Sequence, residues 1–140
     1  KDASAMLRLA HSPNLPISQV PNLKARALNR KAFVQMRQGE LQASLKTAIA
    51  AVKTARRSKG QHIIAQSLLC LSEVQWRAGI RETVIEAAQE AITVFQASGD
   101  HSGAGRAFWS LSIASQNLGR FEESLHAAQT ALELGQSAGD

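Results

Sequence analysis

The sequence predicts an all-α protein, a right-handed α-solenoid of about three antiparallel helical hairpins. Three observations carry this. Apolar residues make up 44% of the 140-residue chain and lean on alanine and leucine, which favour helices and allow them to approach closely, while aromatics are only 4% and tyrosine is absent. Gly39, Gly79 and Gly119 recur at one fixed spacing, the signature of a repeat architecture. No run of valine, isoleucine, threonine and aromatics reads as a strand.

Superposing the three segments on their glycines brings further positions into register. Ala48, Ala88 and Ala128 coincide, as do Ala51, Ala91 and Ala131, with Val52, Ile92 and Leu132 beside them. Upstream, Leu28, Leu68 and Phe108 coincide, followed by Ala32, Ser72 and Ser112. The first unit breaks the pattern at Lys31, where the others carry Leu71 and Leu111. The units are therefore residues 23–60, 61–100 and 101–140, behind a different N-terminal segment, 1–22.

Each unit reads as two helices. The second helix of the first unit carries Leu41, Leu45, Ala48, Ile49, Val52 and Ala55, an apolar stripe at helical spacing. Phe121, Leu125, Ala128 and Leu132 repeat it in the third unit. The recurring glycines stop the first helix of each pair, and Ser98-Gly99-Asp100 ends a unit while offering Asp100 or Ser102 as the next cap. One such hairpin cannot bury its stripe, whereas stacked neighbours can. In the N-terminal segment, Asp2 to Ala10 reads as a short helix, conceived as the tail of a preceding repeat. Pro13, Pro16 and Pro21 make the following stretch a kinked loop, with Pro21 suited to the first turn of the next helix.

These residues resemble the tetratricopeptide repeat family. Phe108, Leu111 and Ser112 match the large, leucine and small positions of its first helix. Gly119 and Phe121 match its turn, and Ala128, Ala131 and Leu132 its second helix. The match covers residues 24–140 and is loosest in the first unit. Gln35, Gln75 and Ser115 depart from it, standing where the family has an aromatic, and the period is longer than the family's commoner one. Longer periods of this kind are similar to the arrays of bacterial signalling and regulatory proteins. The resemblance implies a TPR-like superhelix whose first helices line a concave face. That face would comprise Arg26, Asn29, Phe33, Met36 and Arg37, then Gln66, Leu69, Glu73, Trp76 and Arg77, then Arg106, Trp109, Ile113, Gln116 and Asn117. Tryptophan beside arginine is the composition of a binding hot spot. The lysine–asparagine clamp by which some members hold a C-terminal carboxylate is missing, since Phe33, Cys70 and Ser110 occupy its slots.

Charge is divided unevenly. Residues 1–60 hold twelve of the sixteen lysines and arginines but only Asp2 and Glu40 as acids, while residues 61–140 hold four arginines and nine acids. Lys46, Lys53 and Arg57 share one helical face, and Lys24, Arg30, Lys31 and Arg37 form a second basic surface. Such patches suit phosphates or an acidic partner, including the acidic half of a second copy. Nucleic acid is the weaker reading, because no aromatic is interleaved with these charges to stack bases. The four histidines and the lone Cys70 lack metal-ligand spacing, and Gly99, Gly103 and Gly105 follow no strand and precede no lysine, so a phosphate loop is not indicated. Glu82, Glu86 and Glu90 read as a solvated ridge, Glu122 and Glu123 as helix-dipole acids, and Cys70 as a small core residue. The expectation is therefore not an enzyme, with no cofactor or metal. No membrane-inserted segment is expected, and a lone cysteine points to a reducing, cytoplasmic setting. The chain reads as a piece of a longer bacterial regulator, of the transcription-regulator or diguanylate-cyclase type, binding a protein or peptide, acidic in character, or assembling as a homo-oligomer.

Overall fold

The computed structural model describes residues 3–10 and 19–139. Seven helices run in order among them: α1 (Ala3–Ala10), α2 (Val20–Arg37), α3 (Leu41–Ser58), α4 (Gln61–Arg77), α5 (Glu82–Ala97), α6 (His101–Asn117) and α7 (Phe121–Ser137). No strand occurs among the described residues. The pairs α2/α3, α4/α5 and α6/α7 form the three hairpins, and successive helices pack in sequence, so the fold is an all-α helical-repeat array. The short helix before the first hairpin is present as α1, packed on α2 with Met6 buried. The kinked loop expected around Pro13 and Pro16 lies outside the described residues. Pro21 falls in the first turn of α2, which starts at Val20, ahead of the expected unit boundary at residue 23. Proline's fixed φ suits that turn, where its missing N–H has no intrahelical acceptor.

The turns are more regular than the glycine spacing announces. Gly39, Gly79, Gly99 and Gly119 all take positive φ, between 72° and 81°. Each closes its helix with the same pair of bonds. Gly39 N–H donates to Met36 O and Glu40 N–H to Gln35 O, and the pattern repeats at Gly79/Ile80, Gly99/Asp100 and Gly119/Arg120. Orphan carbonyls of the last turn are satisfied in this way. At the end of α3 the left-handed residue is instead Lys59, with φ 57°.

Within each hairpin one serine ties the two helices together at a fixed register. Ser44 Oγ donates to Ala32 O (2.7 Å), Ser72 Oγ to Val84 O (3.4 Å), and Ser112 Oγ to Ser124 O (2.9 Å). The hydroxyl sits on the second helix in the first hairpin and on the first helix in the others. Fully buried Ala48, Ala51, Ala88 and Ala91 then let the helices close, as the facing alanines predicted. The polar residues midway along the first helices, Gln35, Gln75 and Ser115, are not satisfied alike. Thr47 Oγ1 donates to Gln35 Oε1 (2.7 Å), but Ala87 and Ala127 stand at the corresponding places, and buried Gln75 Oε1 and Ser115 Oγ have no partner within the described chain.

The core is concentrated at the joints between hairpins. Val52, Ala55, Ile63, Ile64 and Leu68 join α3 to α4, and Ile92, Phe95, Ala104 and Ala107 join α5 to α6. Leu41, Leu45 and Ala48 meet Leu71 and Val74, while Val84 and Ile85 meet Leu111, Ala114 and Leu118. Two parts of the expected stripes do not join the core. Ile49 is exposed, because it points away from both the paired helix and the next hairpin. Phe121, Leu125 and Leu132 of α7 are also exposed, because no described helix follows to cover them. α2 packs on α4 and α4 on α6, whereas α3 and α5, or α5 and α7, make at most marginal backbone contact. The first helices thus pack on one another along one side of the array.

Candidate partner-binding groove

The first helices bring most of the expected site residues into one groove. A cavity of about 610 Å³ is lined by Phe33, Met36 and Arg37 of α2, Glu73, Trp76 and Arg77 of α4, and Arg106, Trp109, Ser110 and Ile113 of α6. Three successive first helices each give it an arginine and apolar surface, because positions four residues apart on one helix share a face. Trp76 is 39% exposed and Trp109 57%, so neither tryptophan is consumed by packing on its neighbouring repeat. The Arg77 guanidinium lies 5.6 Å from the Trp76 ring centroid, within reach of a cation–π contact that holds both side chains at the wall.

A second cavity, about 890 Å³, continues the groove toward α1 and shares Phe33, Glu73 and Arg106 with the first. Arg26, Asn29, Gln66 and Leu69 line it as expected. Asn29 is committed structurally through its Nδ2, which donates to Ser67 Oγ (3.0 Å), and its main-chain carbonyl accepts from Cys70 Sγ (3.7 Å), while its Oδ1 has no partner among the described residues. Asn117 lines a cleft of about 430 Å³ that adjoins the groove at the turn ends, sharing Met36, Trp76 and Arg77 with it and reaching Gly79 and Arg81. Gln116 is exposed and lines none of these cavities. The groove also contains residues that the sequence reading did not assign to it. Arg30 lies one turn from Arg26 on α2, a spacing visible in the sequence, whereas the Met6 and Leu7 wall depends on how α1 folds back. Ser110 is drawn in by its hydroxyl contact with Ser72 (2.8 Å), which couples α6 to α4.

Charge in the groove is one-sided. Glu73 is the one acid among the lining residues of the two joined cavities, against Arg26, Arg30, Lys31, Arg37, Arg77 and Arg106. Burial pushes the Glu73 carboxyl pKa up, and Arg106 and Arg77 oppose that rise. Cys70 is half-buried, packed on one side against the core patch of Ala32, Met36, Ala48 and Val74 and lining the groove floor on the other. Its thiol is pushed up to about 12, first by burial and then by Glu73, with Arg106 opposing. A thiol so raised stays protonated near neutrality and is a poor nucleophile. Among the described residues no group of three His, Cys, Asp or Glu side chains is placed to hold a metal ion. None of the described helices is long and apolar enough to cross a membrane.

The polar cluster outside the groove serves the fold. Asp100 Oδ1 accepts from Gly103 N–H (2.8 Å) at the start of α6, and its Oδ2 lies 3.0 Å from His62 Nε2. That capping hydrogen bond lowers the Asp100 pKa first, burial opposes it, and His62 adds to the lowering. The expected Asp100 cap is therefore present. On the outer side, Arg56 pairs with Glu90 at 2.9 Å, so the ridge of Glu82, Glu86 and Glu90 is tied at one end to basic α3. No family model matches the chain, and no curated protein matches it.

Proposed function

We propose that this chain is a non-catalytic polypeptide-binding module that holds a segment of another protein in the groove formed by α2, α4 and α6. The observation that carries the reading is the convergence of Phe33, Trp76 and Trp109 with Arg37, Arg77 and Arg106 around one open cavity. Exposed aromatic surface supplies burial energy, and arginine forks supply oriented hydrogen bonds to carboxylates. A ligand that fits is an acidic peptide with a large apolar side chain seated between the tryptophans. The resemblance to tetratricopeptide repeats and the reducing setting suggested by a single cysteine fit a cytoplasmic regulatory protein that couples such capture to an output.

Selection of a displayed random-peptide library on the full chain tests this. Enriched sequences are expected to combine Asp or Glu with Leu, Phe or Trp. A selected peptide should bind the Arg106→Ala, Trp109→Ala double variant at least about tenfold more weakly, with circular dichroism unchanged. Equal affinity for both proteins, or enrichment of basic peptides, would sink the proposal.

A further inference from the structure

A second surface, separate from the groove, is defined by the repeat register itself. Along α3, the residues turned toward the next hairpin are Leu45, Ala48, Val52 and Ala55, and α4 covers them. Along α5 they are Ile85, Ile92 and Phe95, and α6 covers them. The same register on α7 reads Leu125, Ala128, Leu132 and Gly135. Ile85 and Ile92 are each 7% exposed, whereas Leu125 is 61% and Leu132 65% exposed, with Phe121 continuing the bare stripe. The face therefore continues an interface that the chain builds twice, and on each occasion the occupant is the first helix of a hairpin.

The residue at the last position of this stripe says which kind of first helix fits. On α5 that position is Phe95, and its ring demands glycine opposite: a Cβ on Gly103 would fall 2.5 Å from it. On α3 the position is Ala55, and the larger Ile63 and Ile64 of α4 fill the space. On α7 it is Gly135, beside which an added Cβ would meet nothing within 4 Å. α7 thus presents the α3 type of face. We propose that this face docks a partner amphipathic helix of the α4 type, carrying isoleucine or leucine at the places of Ile63, Ile64, Leu68 and Leu71 and valine at that of Val74. A second copy stacking head to tail does not meet the requirement. Its α2 would bring Lys24 and Lys31 where α4 has Ile64 and Leu71, and burying unpaired lysines against leucines is costly.

The test uses the full chain and two helix-stapled, labelled peptides, one with the sequence of residues 61–77 and one with that of 101–117. Stapling matters because helices this short are marginal in water. The first peptide should bind saturably, and Leu125→Glu with Leu132→Glu should weaken it at least about tenfold, the fold being checked by circular dichroism. The second should not saturate under the same conditions. The groove variant Arg106→Ala, Trp109→Ala should bind the first peptide as the parent does, which separates this surface from the groove. Four results overturn the proposal. These are no saturable binding of the first peptide, equal binding of both peptides, unchanged affinity in the Leu→Glu variant, or a dimer in light scattering that the same variant dissociates.

Discussion

The two joints between hairpins meet the same packing requirement with opposite residues. Where α3 meets α4, small Ala55 faces Ile63 and Ile64. Where α5 meets α6, large Phe95 faces Gly103, Ala104 and Ala107. Interiors must be filled at near-crystalline density, so what has to be conserved across a joint is the summed volume and not either side chain. The repeat is thus kept by complementary pairs, and a match of single positions along the sequence understates it. The turns differ as well. The second joint has a glycine at its left-handed position and an Asp100 cap, while the first has Lys59 and no side-chain cap on α4.

The largest way to break the second joint is Phe95→Ala. Phe95 is 2% exposed, and truncating a core phenylalanine costs about 3–5 kcal/mol through lost burial and the remaining void. Urea unfolding should show that loss, whereas Ala55→Gly at the first joint should cost far less, on the order of 1 kcal/mol from helix propensity. Comparable losses at both sites would mean that the joints do not differ in the way their residues indicate.

Gly103→Ala comes next and tests complementarity directly. Its new methyl overlaps the Phe95 ring, and overpacking of this kind costs about 1–3 kcal/mol. In a Phe95→Ala background the ring is gone and only Asp100 Oδ2, 2.8 Å from the added Cβ, still crowds it, so the same change should cost much less. The double-mutant cycle should therefore show strong coupling. Additive effects would refute the pairing.

Asp100→Ala removes the cap that the first joint lacks. Loss of such a cap costs about 1 kcal/mol. The sign with pH is fixed by the lowered Asp100 pKa: the ionised carboxylate contributes stability above the unfolded-state pKa, and that contribution disappears as pH falls through the folded-state value. The parent and Asp100→Ala proteins should differ at neutral pH and converge in strong acid. A difference independent of pH would show that the carboxylate charge does not matter there.

Much of this architecture was legible before any coordinates. Gly39, Gly79 and Gly119 announced the turns because a left-handed backbone is a local demand that glycine meets, and Asp100 announced a cap for the same reason. The repeat resemblance assigns Trp76, Trp109 and the arginines to one face, and they share a cavity in the structure. What escaped depends on residues distant in sequence. Cys70 reads as a small core residue and does pack against the core, but that it also lines the groove is set by how α2 and α4 pack. The stripe on α7 looked buried because periodicity reports which residues share a face, and not whether another helix covers that face. Lys59 escaped because a lysine gives no sign that its backbone will be left-handed.

Lys59 therefore supplies the smallest and most local test of how the joints differ. A side chain at positive φ is strained by roughly 1–2 kcal/mol, and glycine relieves that strain while adding roughly 0.5–1 kcal/mol of entropy to the unfolded chain. The balance predicts that Lys59→Gly stabilises the protein, by roughly 0.5 kcal/mol, read as a raised urea midpoint at unchanged slope. The mirror change Gly99→Lys should lose about as much or more, since it installs the same strain at the second joint. If Lys59→Gly is destabilising, the lysine must hold the first joint through its side chain. The two turns would then differ in mechanism as well as in strain.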